Sequence, residues 1–127
     1  MAPTPAGIVL VVEDDTEILE EIAQFLRRRN YQVLTAPDVD SGRQALEGQP
    51  HPDVLVTDVR LPDGEGLELL DEVQRREPNK PRPRVIVMTG HLEQHKVNQA
   101  MHDGAETVLL KPFGLGDLLR QLRAGSA

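Results

Sequence analysis

Four apolar runs in this sequence stop on residues that can do chemistry. IVLVV (8–12) is followed by Glu13, Asp14 and Asp15, DVLVT (53–57) by Asp58, RVIVM (84–88) by Thr89 and Gly90, and TVLL (107–110) by Lys111. Carboxylates crowded at the rim of an apolar core repel one another and resist desolvation, so such a cluster is costly until a cation neutralises it. An oxygen-only set suits a hard cation, Mg²⁺ above all, which takes a few carboxylates together with water and phosphate oxygens. Lys111 and Thr89 add an ammonium and a hydroxyl that can hold phosphoryl oxygens. Each residue alone has a plainer reading as a solvated strand end, and acids after Val12 also suit the first turn of a helix, where they complement its dipole. The common placement of all of them at strand ends favours one shared site.

The elements that must position them follow from the apolar pattern. YQVLTA (31–36) adds a fifth run, so strands are expected at 8–12, 31–36, 53–57, 84–88 and 107–110. Helical faces lie between them: Ile18, Leu19, Ile22, Ala23 and Leu26; Leu67, Leu70 and Val73; and Leu115, Leu118, Leu119 and Leu122. SGRQALEG (41–48) and residues 93–102 read as weaker helices, and PNKPRPR (78–84) as a solvated loop. Strands apolar on both faces, each followed by a crossover helix, define an α/β fold with a doubly wound five-stranded parallel sheet. Such sheets bind ligands at the carboxyl ends of their strands, where the four chemical clusters fall.

Composition excludes several classes. The chain has 127 residues, 39% of them hydrophobic, enough for one domain with a real core. It has no cysteine, which removes disulfides, thiolate catalysis and cysteine-ligated metal. MAPTPAG carries no basic residue and the apolar run after it is too short for a signal or membrane helix, so a cytoplasmic location with no membrane contact is expected. A formal net charge of -7 would repel a phosphate backbone, so direct nucleic-acid binding is not expected.

VVEDD (11–15), TDVRLPDGEG (57–66), VMTGH (87–91) and LKPF (110–113) together resemble the receiver domain of two-component response regulators, the CheY-like superfamily. The likeness covers essentially the whole chain and implies one receiver domain over 1–127, with tails at 1–6 and 124–127. It implies a flavodoxin-like (βα)5 fold with strand order 2-1-3-4-5. It also implies that Asp58 accepts a phosphoryl group from a sensor histidine kinase or histidine phosphotransfer protein, in a Mg²⁺-dependent reaction. By the same resemblance Asp14, Asp58 and the backbone carbonyl of Arg60 hold the metal, with Glu13 acting through water. Thr89, Gly90 and Lys111 hold and sense the phosphoryl group, and the bond before Pro112 is cis. The surface of the fourth helix, fifth strand and fifth helix then switches for a downstream protein partner or output domain, with a homodimer through that face as one outcome.

Within the Asp58 loop, Pro62 and Gly64 are expected to shape the turn and Gly66 to permit close backbone approach. By resemblance Arg60 and His91 overhang the phosphoryl group and tune its hydrolysis, although exposed loop side chains often do nothing. Many receivers carry Tyr or Phe three residues before the lysine. Here the position is Val108, so no ring can swing. His91, His95 and His102 fall within about 40° on a helix and could bind a transition metal, but a solvated face is the plainer reading. Gly114 and Gly116 are only a fragment of a nucleotide-loop motif.

Residues 114–127 leave room for one helix and a tail, so the chain is expected to be a stand-alone receiver or one cut from a hybrid histidine kinase or larger regulator. A Mg²⁺-dependent phosphatase of the haloacid-dehalogenase type would need Asp-x-Asp, but Arg60 occupies the second position. A degenerate docking module conflicts with the complete set of acids, Thr and Lys. The domain is therefore expected to signal rather than to be an enzyme, assisting only its own phosphotransfer and dephosphorylation.

Overall fold

The computed structural model describes residues 6–80, 82–90 and 94–124. Strands β1 (Gly7–Val12), β2 (Tyr31–Ala36), β3 (Val54–Asp58), β6 (Arg84–Thr89) and β7 (Thr107–Leu110) form one sheet in the order β2-β1-β3-β6-β7. Every pairing in it is parallel. Two short strands, β4 (Arg60–Leu61) and β5 (Gly64–Glu65), pair as a separate antiparallel ribbon after β3. With that ribbon set aside the order is the expected 2-1-3-4-5. The sequence offers no sign of the ribbon, because two-residue strands carry no period.

Five helices cover the sheet: α1 (Thr16–Arg27), α2 (Val39–Glu47), α3 (Leu67–Gln74), α4 (Gln94–His102) and α5 (Leu115–Ala124). Successive strand residues face opposite ways, so β1 sends Val9 and Val11 to one core and Leu10 and Val12 to the other. The first core gathers Leu19, Ile22 and Leu26 of α1 with Leu118 and Leu122 of α5. The second gathers Leu46 of α2, Leu69, Leu70 and Val73 of α3, and Ala100 of α4. Sheet residues buried on both sides explain why the strands read as unbroken apolar runs.

Some boundaries move from the sequence expectation, each for a local reason. Helix α2 starts at Val39 rather than Ser41, because the Asp38 carboxylate accepts the Ser41 amide at 2.8 Å and caps the earlier turn. Asp58 and Thr89 are the last residues of their strands rather than the first beyond them. Ala6, placed in the tail by sequence, donates to the Asn30 carbonyl at 2.7 Å, and Ala124 closes α5. Residues 1–5 and 125–127 lie outside the described residues.

Arg84 ties the far end of the sheet together. Its guanidinium donates to both Glu106 oxygens, at 2.6 and 2.8 Å, and to the carbonyls of Leu122 and Gln121 at 3.0 and 2.9 Å. That bond holds the Glu106 carboxyl below its ordinary value of 4.5. A depressed folded value means the stabilisation is present above about pH 4.5 and is lost as pH falls through the folded value. Glu106→Gln is therefore expected to cost about 1 kcal/mol at pH 7, after allowance for partial exposure of the pair, and less at pH 3. Urea melts at the two pH values check this, and an equal cost at both would show that charge plays no part.

Candidate functional site

Glu13, Asp14, Asp58, Thr89 and Lys111 each stand at, or just beyond, the end of a strand. Beyond Val12, the Glu13 amide donates to the Ala36 carbonyl at 3.0 Å, which fixes the turn away from β1. Glu13 is only 1% exposed, whereas Asp14 is exposed. Asp15 is the N-cap of α1, where Oδ1 accepts the amides of Glu17 and Ile18 at 3.0 and 3.2 Å. Two of the three consecutive acids therefore belong to the site, and the third starts a helix.

Glu13, Asp14 and Asp58 bring carboxylate oxygens within 4.8 Å of one another. Lys111 joins them from the end of β7: its Nζ bonds Glu13 Oε1 and also Asp58 Oδ2, the latter at 2.8 Å. Its backbone amide donates to the Thr89 carbonyl at 2.7 Å, and the Lys111–Pro112 peptide is cis. Burial pushes the Glu13 carboxyl up to about 7; the bond to Lys111 opposes this and the neighbouring Asp58 adds to it. For Lys111, burial would lower the value, but the bonds to Asp58 and Glu13 outweigh it and hold the ammonium above its ordinary range.

Asp14, Asp58, Arg60, Thr89, Gly90 and Lys111 line one cleft of about 270 Å³. Thr89 is buried at its wall, and Arg60 and Gly90 are exposed at its mouth. The donor set is all oxygen, clustered and partly desolvated, so it fits a hard divalent cation. Val108 is half-buried against the core, in register with Val87. His91 lies outside the described residues, and with it the three-histidine face. Pro112 lines an adjoining apolar groove of about 420 Å³ with Ile18, Ile22, Phe113 and Leu115, and Lys111 borders both spaces.

The loop after Asp58 is built more tightly than its sequence suggests. Val59 donates to the Met88 carbonyl at 3.0 Å, Gly66 to the Val59 carbonyl at 2.8 Å, and Thr57 Oγ1 to the Asp58 carbonyl at 3.0 Å. A Cβ at Gly66 would collide with the Asp58 carbonyl oxygen and come within 2.6 Å of Thr57 Oγ1. Gly66→Ala is thus expected to lower stability by about 2–3 kcal/mol, read by urea unfolding, since backbone cannot yield as a side chain does. A loss under about 0.5 kcal/mol would mean the loop has slack.

Sequence reasoning missed Thr57, Asp63 and the Glu65–Lys96 pair. Asp63 Oδ1 and Oδ2 accept the amides of Val39 and Asp40 at 2.8 and 3.0 Å, which caps α2 from a distant loop. Such contacts cross between elements and leave no local period, although Asp before Gly does mark a turn.

A doubly wound flavodoxin-like domain with an acidic site at the carboxyl edge of its sheet is the class that this geometry defines. Comparison with known proteins narrows it: the chain belongs to the family described as response regulator receiver domain, whose sequence model matches residues 9–123. It is similar to the phosphate regulon transcriptional regulatory protein PhoB of Escherichia coli K12, with 29% identity over 116 residues, 91% of this chain and 50% of that protein. It is 35% identical to the transcriptional regulatory protein KdpE of Mycobacterium tuberculosis H37Rv, over 92% of this chain and 50% of that protein. The chain thus spans about half the length of these relatives. Among solved structures, a CheY-like receiver domain protein from Methanospirillum hungatei JF-1 superposes with a TM-score of 0.84 at 29% identity, covering 93% of this chain and 91% of that one. The N-terminal domain of a Wolinella succinogenes protein gives 0.83 at 32% identity, covering 94% and 93%.

Proposed function

We propose that this domain is a phosphoacceptor of a two-component phosphorelay, in which Asp58 takes a phosphoryl group from a sensor histidine kinase or a histidine phosphotransfer protein. The observation that carries the reading is Asp58 in one cleft with Thr89, with Lys111 on one of its oxygens and two further carboxylates beside it. An Asp58 oxygen attacks phosphorus, the bond from phosphorus to the donor nitrogen breaks, and the imidazole leaves with the electron pair. Asp14, Asp58 and the Arg60 carbonyl would hold Mg²⁺, with Glu13 in support through water. The bound ion would offset the carboxylate charge and that of the incoming phosphoryl oxygens.

Lys111 meets the charge that develops on the equatorial oxygens, and its bonds to Glu13 and Asp58 hold the ammonium at the site beforehand. The Thr89 hydroxyl, at the end of β6, receives the phosphoryl group together with the Gly90 backbone. The change would be read on α4, β7 and α5 by a downstream protein or a joined output domain, with pairing of two copies there as one form. Arg60 and His91 would set the lifetime of the aspartyl phosphate. Among the described residues no helix is long and apolar enough to cross a membrane, which fits action in the cytoplasm. Incubation with acetyl phosphate and Mg²⁺ tests the reading by intact mass. Gain of one phosphoryl group, absent when the metal is chelated, is the expected result, and no gain in excess Mg²⁺ would overturn it.

A further inference from the structure

We propose that the ribbon from Arg60 to Glu65 carries the state of the carboxylate site to α4, with Asp63 as its fixed end and the Glu65–Lys96 ion pair as its yielding end. The proposal rests on the phosphoacceptor reading for its purpose, but its geometry stands alone. Arg60 lines the cleft and is the register partner of Glu65, whose carboxylate meets Lys96 of α4, so the open end of the ribbon touches the site through one strand and α4 through the other.

The two anchors differ in strength. At the turn of the ribbon both oxygens of Asp63 accept amides of the first turn of α2, Val39 and Asp40. Those amides lower the Asp63 carboxyl below its ordinary value, and a carboxylate at a helix N-terminus also meets the positive end of the dipole. Glu65 is further tied to α3, its amide donating to Glu68 Oε2 at 2.8 Å. Lys96 Nζ, by contrast, reaches Glu65 Oε1 as a single ion pair with both side chains partly exposed. Such a pair is weak and salt-sensitive, so it yields before a double charge-assisted cap does.

Helix α4 itself is held lightly. Among its described side chains only Ala100 is fully buried, with Lys96 and Val97 half-buried. Lys96 sits in its first turn, where a cation opposes the helix dipole and no acidic residue offsets it from within the helix. Glu65 brings a negative charge to Lys96 from the ribbon. With few apolar contacts to hold it, α4 takes its position in part from this pair, as expected of an element at the low end of local stability. Val108 leaves no aromatic ring beneath this surface, so a link outside the sheet matters more here.

Hydrogen exchange of the whole chain, with and without Mg²⁺, tests the link. Lys96→Met and Glu65→Gln are each expected to speed exchange of the Val97–Met101 amides by about threefold or more, while leaving Mg²⁺ affinity within about twofold. The exchanged pair, Glu65→Lys with Lys96→Glu, should return α4 exchange toward wild type, which a merely local packing role would not do. Asp63→Ala should instead speed exchange at Val39 and Asp40 and weaken Mg²⁺ binding by about threefold or more. Unchanged α4 exchange in both single variants, or a charge-exchanged double variant as fast as either single, would overturn the proposal. These readings need no phosphoryl donor, so failure of the link and failure of phosphoryl uptake remain separate results.

Discussion

Asp58→Asn is expected to abolish phosphoryl uptake from acetyl phosphate, a loss of at least about 100-fold, ~2.7 kcal/mol or more of barrier. Three carboxylates stand at the site, and their surroundings decide which of them can attack. Glu13 is 1% exposed and engaged by Lys111, so no donor can approach it in line. Asp14 is exposed and lines the cleft, but no bond from Lys111 reaches it. Of the three, only Asp58 both lines the cleft and carries the Lys111 ammonium on one of its oxygens. Asparagine keeps the shape and an acceptor for Lys111 but is no nucleophile. Intact mass after incubation with Mg²⁺ and donor reads the result. Labelling of the Asn variant at the wild-type level would remove Asp58 from the role.

Asp14→Ala is expected to weaken Mg²⁺ binding by more than about tenfold, ~1.4 kcal/mol, measured by calorimetric titration. The same change should leave the metal-free protein unharmed or more stable, by up to a few °C in thermal melting. Its carboxylate lies within 4.8 Å of two others, its side chain is exposed, and it packs nothing in either core. The two readouts move in opposite directions only if the cluster exists for a cation. A fall of several degrees without Mg²⁺ would instead make Asp14 a structural residue.

The pattern of residues in the chain determined a good deal by itself. Strands buried on both faces must be apolar throughout, and helices covering them must be apolar on one face, so IVLVV or the Leu19–Ile22–Leu26 stripe reveals its role without neighbours. Because parallel strands all end on one side of the sheet, the residues at those ends had to gather, and Asp14, Asp58, Thr89 and Lys111 do line one cleft. Burial and partner choice were beyond sequence. Glu13, Asp14 and Asp15 are adjacent acids of near-equal chemistry, yet one is buried on Lys111, one faces the cleft and one caps α1. Their fates are set by the chain leaving the sheet after Val12, held by the Glu13 amide on Ala36 of a strand twenty-odd residues on. The ribbon, the Asp63 cap on α2 and the Glu65–Lys96 pair are likewise products of assembly. Each joins groups from separate elements, and such a contact has no period for a sequence to display.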